Sequence, residues 1–596
     1  MVRTSDRIGW KATIAYGLLP VGLILLPVGL ILLLGFRRFG AVVDGGLINP
    51  DSYMRMVRLR EILGAAEPVH VVGRDVSGTG AILHWSHLLD SLVLAIAAPF
   101  VWLLGADQAL HIAALTIGPA SLAALGIAVA WAAAPFADRR WLWLAPIIAC
   151  MAPAIGGYGW MGVVHHHVAI VVVAVAAAGW AARVVIGVAS RGAGLAIGAW
   201  SGIGLWLTPE TVPLTTMAFG GLWVAWLYCP KRDDIVQAIW QTGVAFLFTV
   251  SLAVMIDPPV GGWGAPETDR ISILFAVLAG AMAATGGAIV AIHAAWNATT
   301  ARLLASGTFG LLACLGWIML FPDLTDALSQ GAADVDTRAM WSHINEMKPV
   351  NTFESTLRHL LTGILACVAL IFCAIERRSV VLGYVVLCAA TLVALGAMHV
   401  RFAAYPGALG AVMVPIIIAI LDRRMAARPA ATQSLMRVGT ICLFVLVPFA
   451  SGLPSVSKSA QATPTQAAAT CSVSELGGML APYAGQVVLT NVNDSPELLH
   501  RTGILTVGSL YHRNQPAFLR LRSAWRSGPS ETVPREFTAA AIALVLFCPA
   551  PERSVLVADL PPDTLLDRLG HGDVPVWLTR VAGDTKSGHI LYQVMP

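Results

Sequence analysis

Charge is what this chain has least of. Asp, Glu, Lys and Arg make up 12% of its 596 residues, hydrophobic residues make up 57%, and the mean hydropathy is +0.73. A water-soluble core cannot absorb that much apolar surface with so few charges on the outside. A soluble multi-domain protein is thereby excluded and a polytopic membrane protein expected. The formal net charge of +4 is too small to leave a footprint for a nucleic-acid partner. A cleavable leader is not expected either: the first apolar run, about Ile14 to Leu34, is too long for a signal-peptide core and has no small-residue cleavage site. It reads as an uncleaved anchor. No internal repeat occurs at any fixed period. Most of the nine cysteines sit inside apolar runs as small hydrophobes. Cys471 and Cys548 fall in the polar C-terminal portion and could pair in an oxidising compartment.

What the sequence does have is long apolar runs divided by a few basic loops. The N-terminus (Arg3, Arg7, Lys11), "ADRRW" near 138, "PKRDD" at 230, "ERRS" at 376 and "DRRMAARP" at 422 are the clearest of these, and basic loops stay cytoplasmic. With these inside, thirteen spans are predicted, near 12–35, 108–134, 141–158, 167–188, 192–209, 213–229, 236–256, 272–296, 303–322, 356–375, 380–399, 403–421 and 438–455. The apolar segment 88–105 must then not cross, and reads as a surface or re-entrant helix in a long first external loop, 36–107. Residues 1–455 form the membrane domain, with a fifth external loop at 323–355. A Ser/Ala/Pro/Thr-rich linker follows at 456–470, and 471–596 are expected to fold as a periplasmic α/β domain. Its expected strands lie in "GQVVLTNVND", "GILTVGSLY", "RSVLVADL" and "HILYQVMP".

Polar groups at membrane depth cost roughly 2.5–3.5 kcal/mol each, so clusters of them need a reason. The predicted outer face carries four. In "INPDSYMRMVRLREIL" (48–63), Asp51 precedes a helical pattern and reads as a helix cap, a cation ligand, or both. "GVVHHHVAI" (162–170) sets three imidazoles at the mouth of a span; they read as interfacial residues, a pH sensor or metal ligands. "WSHINEMKPV" (341–350) offers Glu346 as an oxygen ligand and Lys348 as a phosphate contact, or is simply a solvated loop. In "MHVRFAAYPG" (398–407), Arg401 suits a phosphate or diphosphate through its planar fork, or snorkels to the interface. Glu210 in "LWLTPETVP" and the adjacent Asp269 and Arg270 also face outward, the last two as a plausible ion pair.

The order of these features resembles the catalytic subunit of oligosaccharyltransferases, membrane glycosyltransferases of the GT-C class. The first-loop Asp of that family matches Asp51 in "NPDSYMRMVRLRE", and "GTGAILHWSHLLD" (78–90) resembles the segment that follows it. The family's second acidic motif, Asp-His-His in archaeal members, matches "GVVHHHV" with His165 in place of the Asp. Its Ser-Val-Ser-Glu-type motif resembles "HINE", which gives Glu346, and its late-span Arg is similar to Arg401. The resemblance covers nearly the whole chain. It implies a divalent metal, Mn or Mg, held by Asp51, His165, His167 and Glu346, with Asp51 and Glu346 catalytic. It also implies a polyprenyl-linked sugar donor whose phosphate is held by Arg401 and Lys348, in an inner membrane with the active site periplasmic. Glu210, and His512 and Arg513 in "SLYHRN" (509–514), would meet the acceptor or donor headgroup; the latter pair also reads as a strand-end turn. The Trp-Trp-Asp motif that reads the acceptor sequon in that family is absent after residue 456. The acceptor is therefore open between protein, polysaccharide and lipid. The competing readings are a transporter or flippase of lipid-linked glycans, which would place charges at mid-membrane, and a non-catalytic envelope sensor.

Overall fold

The computed structural model describes residues 40–595 except 41, 44, 66–67, 230, 297, 323–343, 452–470, 550–561 and 584–587. The expected first span 12–35, the linker 456–470, the strand expected in "RSVLVADL" and much of the fifth external loop lie outside the described residues.

The chain is a helical body with an α/β layer at one end. Its helices are α1 (Pro50–Ala65), α2 (Leu88–Leu104), α3 (Ala106–Ala133), α4 (His167–Val185), α5 (Ala193–Leu207) and α6 (Val212–Tyr228). They continue with α7 (Asp233–Ile256), α8 (Ile273–Ala295), α9 (Thr299–Leu320), α10 (Leu361–Arg377), α11 (Val380–Met398), α12 (Ala404–Arg424), α13 (Ala430–Ser451) and α14 (Ser495–Arg501). Eight of the described helices are long and apolar enough to cross a membrane, or nine if the bent pair ending in α10 counts as one. On α9 only Arg302 and Ser306 are buried, and Leu304, Leu311, Leu312, Met319 and Leu320 face outward. An apolar surface of that kind suits lipid, not water.

Several expected spans are modified by local chemistry. The segment expected at 141–158 breaks into Leu144–Met151 and Pro153–Gly156, because Ala152 before Pro153 is extended. The one expected at 356–375 bends by 70° between Phe353–His359 and α10. The segment 88–105 is a helix that turns at Gly105 (φ +81°) and packs back along α3. At 17 residues α2 is about 25 Å long, short of a hydrocarbon core of about 30 Å. Close helix packing rests on small residues: Gly194, Gly198 and Gly202 stack on one face of α5. A Cβ on Gly198 would stand 2.3 Å from the Thr242 carbonyl oxygen of α7.

The C-terminal sheet has strand order β4-β3-β5-β7-β6, with β3 (Val487–Leu489), β4 (Leu505–Thr506), β5 (Ile542–Phe547), β6 (Leu578–Gly583) and β7 (Ile590–Val594). β3 pairs parallel with β4 and β5, and β7 antiparallel with β5 and β6. The central β5 and the edge strand β6 are additions to the sequence expectation. β5 reads "IALVLF", an unbroken apolar run without the alternation that marks a half-buried strand. Cys471 and Cys548 form a disulfide across 77 positions, tying the start of this layer to the end of β5.

The layer sits on the segment 50–105 that leads into α3. α14 packs against α1, the Tyr53 hydroxyl donates to Glu497 at 2.9 Å, and the Arg60 guanidinium donates to the His500 carbonyl at 2.7 Å. A small hairpin, β1 (Val71–Val72) with β2 (Ala81–Ile82), joins in: the Ile82 amide donates to the Asn514 side chain, which donates back to the Ile82 carbonyl, each at 3.1 Å. Under α1, Arg55 and Arg58 are both buried and share the buried carboxylate of Asp90 at the start of α2, the Arg55 contact being 2.5 Å. Removing one member of a buried pair leaves an uncompensated charge. Asp90→Asn is therefore expected to lower folding stability by about 3–5 kcal/mol. Thermal unfolding of the detergent-solubilised protein checks this, and an unchanged midpoint would overturn it.

Candidate active site

Asp51 enters the site because it is not the helix cap. Asn49 is: its side-chain oxygen accepts from the Ser52 amide at 2.8 Å, with Pro50 at the first helical position. Ser52 in turn accepts the Val164 amide at 2.8 Å, which pins α1 to the histidine run. The Asp51 carboxylate is left to face His165, whose Nε2 lies 3.2 Å from Oδ2, while Oδ1 accepts from the Tyr511 hydroxyl at 3.1 Å. Burial first, then the nearby Asp51 carboxylate, pushes the Tyr511 phenol well above its ordinary value, so it acts as a donor.

The histidines open α4. His165 and His167 stack with ring centroids 4.1 Å apart, and His167 Nε2 lies 3.2 Å from Glu346 Oε2. The same Glu346 oxygen accepts the Tyr158 hydroxyl at 3.0 Å. Burial alone would raise Glu346, but His167, Arg401 and His165 together hold it well below the usual carboxylate range. His166 lies between its neighbours, and its Nε2 is buried without a partner among the described residues. One ring nitrogen from each of the three histidines lies within 4.8 Å of the others.

Glu346 reaches this place because the end of the fifth loop is sewn to the α11–α12 connection. The Val350 amide donates to the Ala397 carbonyl at 2.9 Å, the Val400 amide donates to the Lys348 carbonyl at 3.1 Å, and His399 Nδ1 bonds the Met347 carbonyl at 2.7 Å. Arg401, on the short turn before α12, pairs with Glu210 and donates to Met347 Sδ at 3.2 Å.

Asp51, His165, Glu346, Arg401, Glu210 and His512 all border one cavity of about 1180 Å³. His167 stands behind Glu346. The Lys348 side chain is exposed outside the cavity wall; Arg513 also lies outside it, largely buried and clamped by Asp269 at 2.8 Å and Glu267 at 2.6 Å. The expected pairing of Asp269 with Arg270 is replaced by two separate ones. Arg270 points inward to Asp257, which also holds His87 at 2.8 Å, whereas Asp269 takes His512 at 2.5 Å as well as Arg513. Residues that the sequence reading passed over are Tyr158 and Tyr511, each aimed at a carboxylate of the site. Tyr511 stands beside two singled-out residues in "SLYHRN", but a lone tyrosine carries no spacing signal.

A helical membrane body whose polar residues gather at one end, under a helix from the segment before α2, a loop Glu and an α/β layer, has the fold of solved oligosaccharyltransferase structures. Archaeal oligosaccharyltransferase AglB from Archaeoglobus fulgidus, in complex with an inhibitory peptide and a dolichol-phosphate, matches 89% of this chain and 70% of its own. The TM-score is 0.65 at 14% identity. The Archaeoglobus fulgidus oligosaccharyltransferase tethered to an acceptor peptide with the NVT sequon gives TM-score 0.60 at 11% identity, over 91% of this chain and 70% of that one. Its complex with Zn and sulfate gives 0.59 at 13% identity, over 88% and 67%. No family model matches the chain, and no curated protein matches it.

The Asp269 cluster gives a pH test. Burial would raise the Asp269 carboxyl, but Arg513 and His512 hold it well below 3.8. A depressed carboxyl contributes stability that is full above its ordinary value and is lost as pH falls towards the folded one. Between about pH 5 and about pH 3, wild type should lose thermal stability more steeply than Asp269→Asn. Parallel slopes in the two melting series would count against the clamp.

Proposed function

We propose that the chain is a membrane glycosyltransferase that moves a sugar or oligosaccharide from a polyprenyl-(di)phosphate donor to an envelope acceptor on the periplasmic face of an inner membrane, with a divalent metal. The observation that carries the reading is that Asp51, His165, Glu346 and Arg401, from four separate segments, border one cavity, with His167 behind Glu346. A metal at about 2.0–2.2 Å from N and O ligands separates neighbouring donors by about 3.0–3.5 Å. His165 with Asp51 and His167 with Glu346 form two pairs, each 3.2 Å apart, on either side of a histidine group whose ring nitrogens lie within 4.8 Å of one another. Two carboxylates and two imidazoles make a mixed set that suits Mn better than Mg.

Bound there, a divalent cation supplies Lewis-acid stabilisation of charge and a template for the reactants. The protein supplies the rest. Asp51 takes the proton from the acceptor as general base. Arg401 meets the phosphate of the leaving group with guanidinium hydrogens that Glu210 leaves unused, since its fork carries five donors. His512 and Glu210 line the cavity where acceptor and headgroup would meet.

Two features support the orientation. Arg140 with Asp422, and Arg424 with Glu376, gather in basic loops at the end of the helices opposite the cavity, as cytoplasmic loops do. The Cys471–Cys548 disulfide suits an oxidising periplasm for the C-terminal layer.

The test is donor consumption in membranes carrying wild type, Asp51→Asn and Glu346→Gln, given a labelled polyprenyl-phosphate glycan pool. Wild type should consume donor, lose that ability on chelation and regain it with Mn²⁺. Each variant should be slower by about 10²-fold or more. Consumption untouched by either substitution would remove the site assignment.

A further inference from the structure

The residue aimed most directly at Asp51 from outside the membrane body is Tyr511, 460 positions further along the chain. The segment that carries it is held to the first external loop on both sides. Ahead of it, the Thr506 amide donates to the Arg74 carbonyl at 3.2 Å, and the Arg74 guanidinium donates to the Thr502 and Leu499 carbonyls, each at 2.5 Å. The Thr506 hydroxyl donates at 2.8 Å to the buried carboxylate of Asp75, which also accepts the Ser509 hydroxyl. Behind it, Asn514 bonds both backbone groups of Ile82. The ring itself is buried edge-on against Trp85 at 5.2 Å, and the Arg55 guanidinium lies over the same indole at 4.5 Å. With its backbone tied at both ends and its ring packed, the hydroxyl has one direction left, towards Asp51 Oδ1. Oδ2 is thereby turned towards His165.

Resting on the metal reading above, we infer that Tyr511 is a positioning residue through which the C-terminal layer presets the Asp51 carboxylate for a divalent cation. The role is that of an outer partner to a ligand. It orients the carboxylate without touching the ion, and loss of such a partner typically weakens metal affinity by about 10- to 100-fold. It also gives the C-terminal layer a part in building the cation site, beyond forming a wall of the cavity.

The experiment is Mn²⁺ binding to the full purified chain in detergent, read by calorimetry or by electron paramagnetic resonance of free Mn²⁺, independent of turnover. Four proteins are compared: wild type, Asp51→Asn, Tyr511→Phe and Asn514→Ala. Tyr511→Phe keeps the ring against Trp85 and removes one oxygen, so it should retain the wild-type Tm while its Mn²⁺ affinity falls by about 10- to 100-fold. Asn514→Ala loosens the same segment without touching the hydroxyl; its Tm should fall while its affinity stays within about threefold of wild type, well under that loss. Wild-type affinity in Tyr511→Phe overturns the inference. An equal loss in Asn514→Ala also overturns it, because the whole segment and not the hydroxyl would then be responsible. If wild type binds no Mn²⁺, the metal reading fails at its root and this one with it; binding in wild type that is lost in Asp51→Asn but kept in Tyr511→Phe sinks this inference alone.

Discussion

A charge set among apolar groups is tolerable only with a partner, and in a chain so poor in charges the partners are far apart. Asp90 holds Arg55 and Arg58 beneath α1, Asp257 holds Arg270 and His87, and Arg401 holds Glu210 beside the cavity. The cost of desolvating these groups is recovered only in one geometry, with both members in place. That requirement helps to lock the segment 50–105 onto the rest of the helical body. Close glycine packing fixes α5 on α7, and the ion pairs add fixed points at the helix ends. Backbone bonds from Val164 and from residues 348–350 then hold the histidine run and Glu346 in place.

The cavity has a further property: its groups are held without being consumed. Asn49 caps α1, so Asp51 does not. Asp269 neutralises Arg513, and the Lys348 carbonyl ties down the loop while its side chain stays outside. The helix-capping duty falls to Asn49, and the Asp51 carboxylate meets His165 and Tyr511 instead. Adjacent Arg270 and Asp269 likewise serve different partners, Arg270 the buried Asp257 and Asp269 the Arg513 guanidinium.

Much of this was legible in the sequence where the signal was a pattern. Apolar runs marked the helices, and basic loops marked one end of them. Asp51, the histidine run, Glu346 and Arg401 stood out because polar residues at span ends are rare. What stayed hidden depended on one residue or one distant contact. Pro153 breaks a span that hydropathy alone joins, and the 70° bend before α10 leaves no mark in composition. β5 has the same apolar run as a buried helix, and only its sheet neighbours make it a strand. Tyr158 and Tyr511 meet their carboxylates across 188 and 460 positions, a relation that no local spacing encodes.

The dependence of Asp51 on a tyrosine so late in the chain bears on biosynthesis. The helices are made and inserted first, and at that stage the cavity has no C-terminal wall and Asp51 has no hydroxyl to hold it. The cavity gains its last wall only once the C-terminal strands have been translated and folded, with Cys471 and Cys548 joined. Until then Asp51 lacks one of the two side chains that fix its carboxylate in the finished structure.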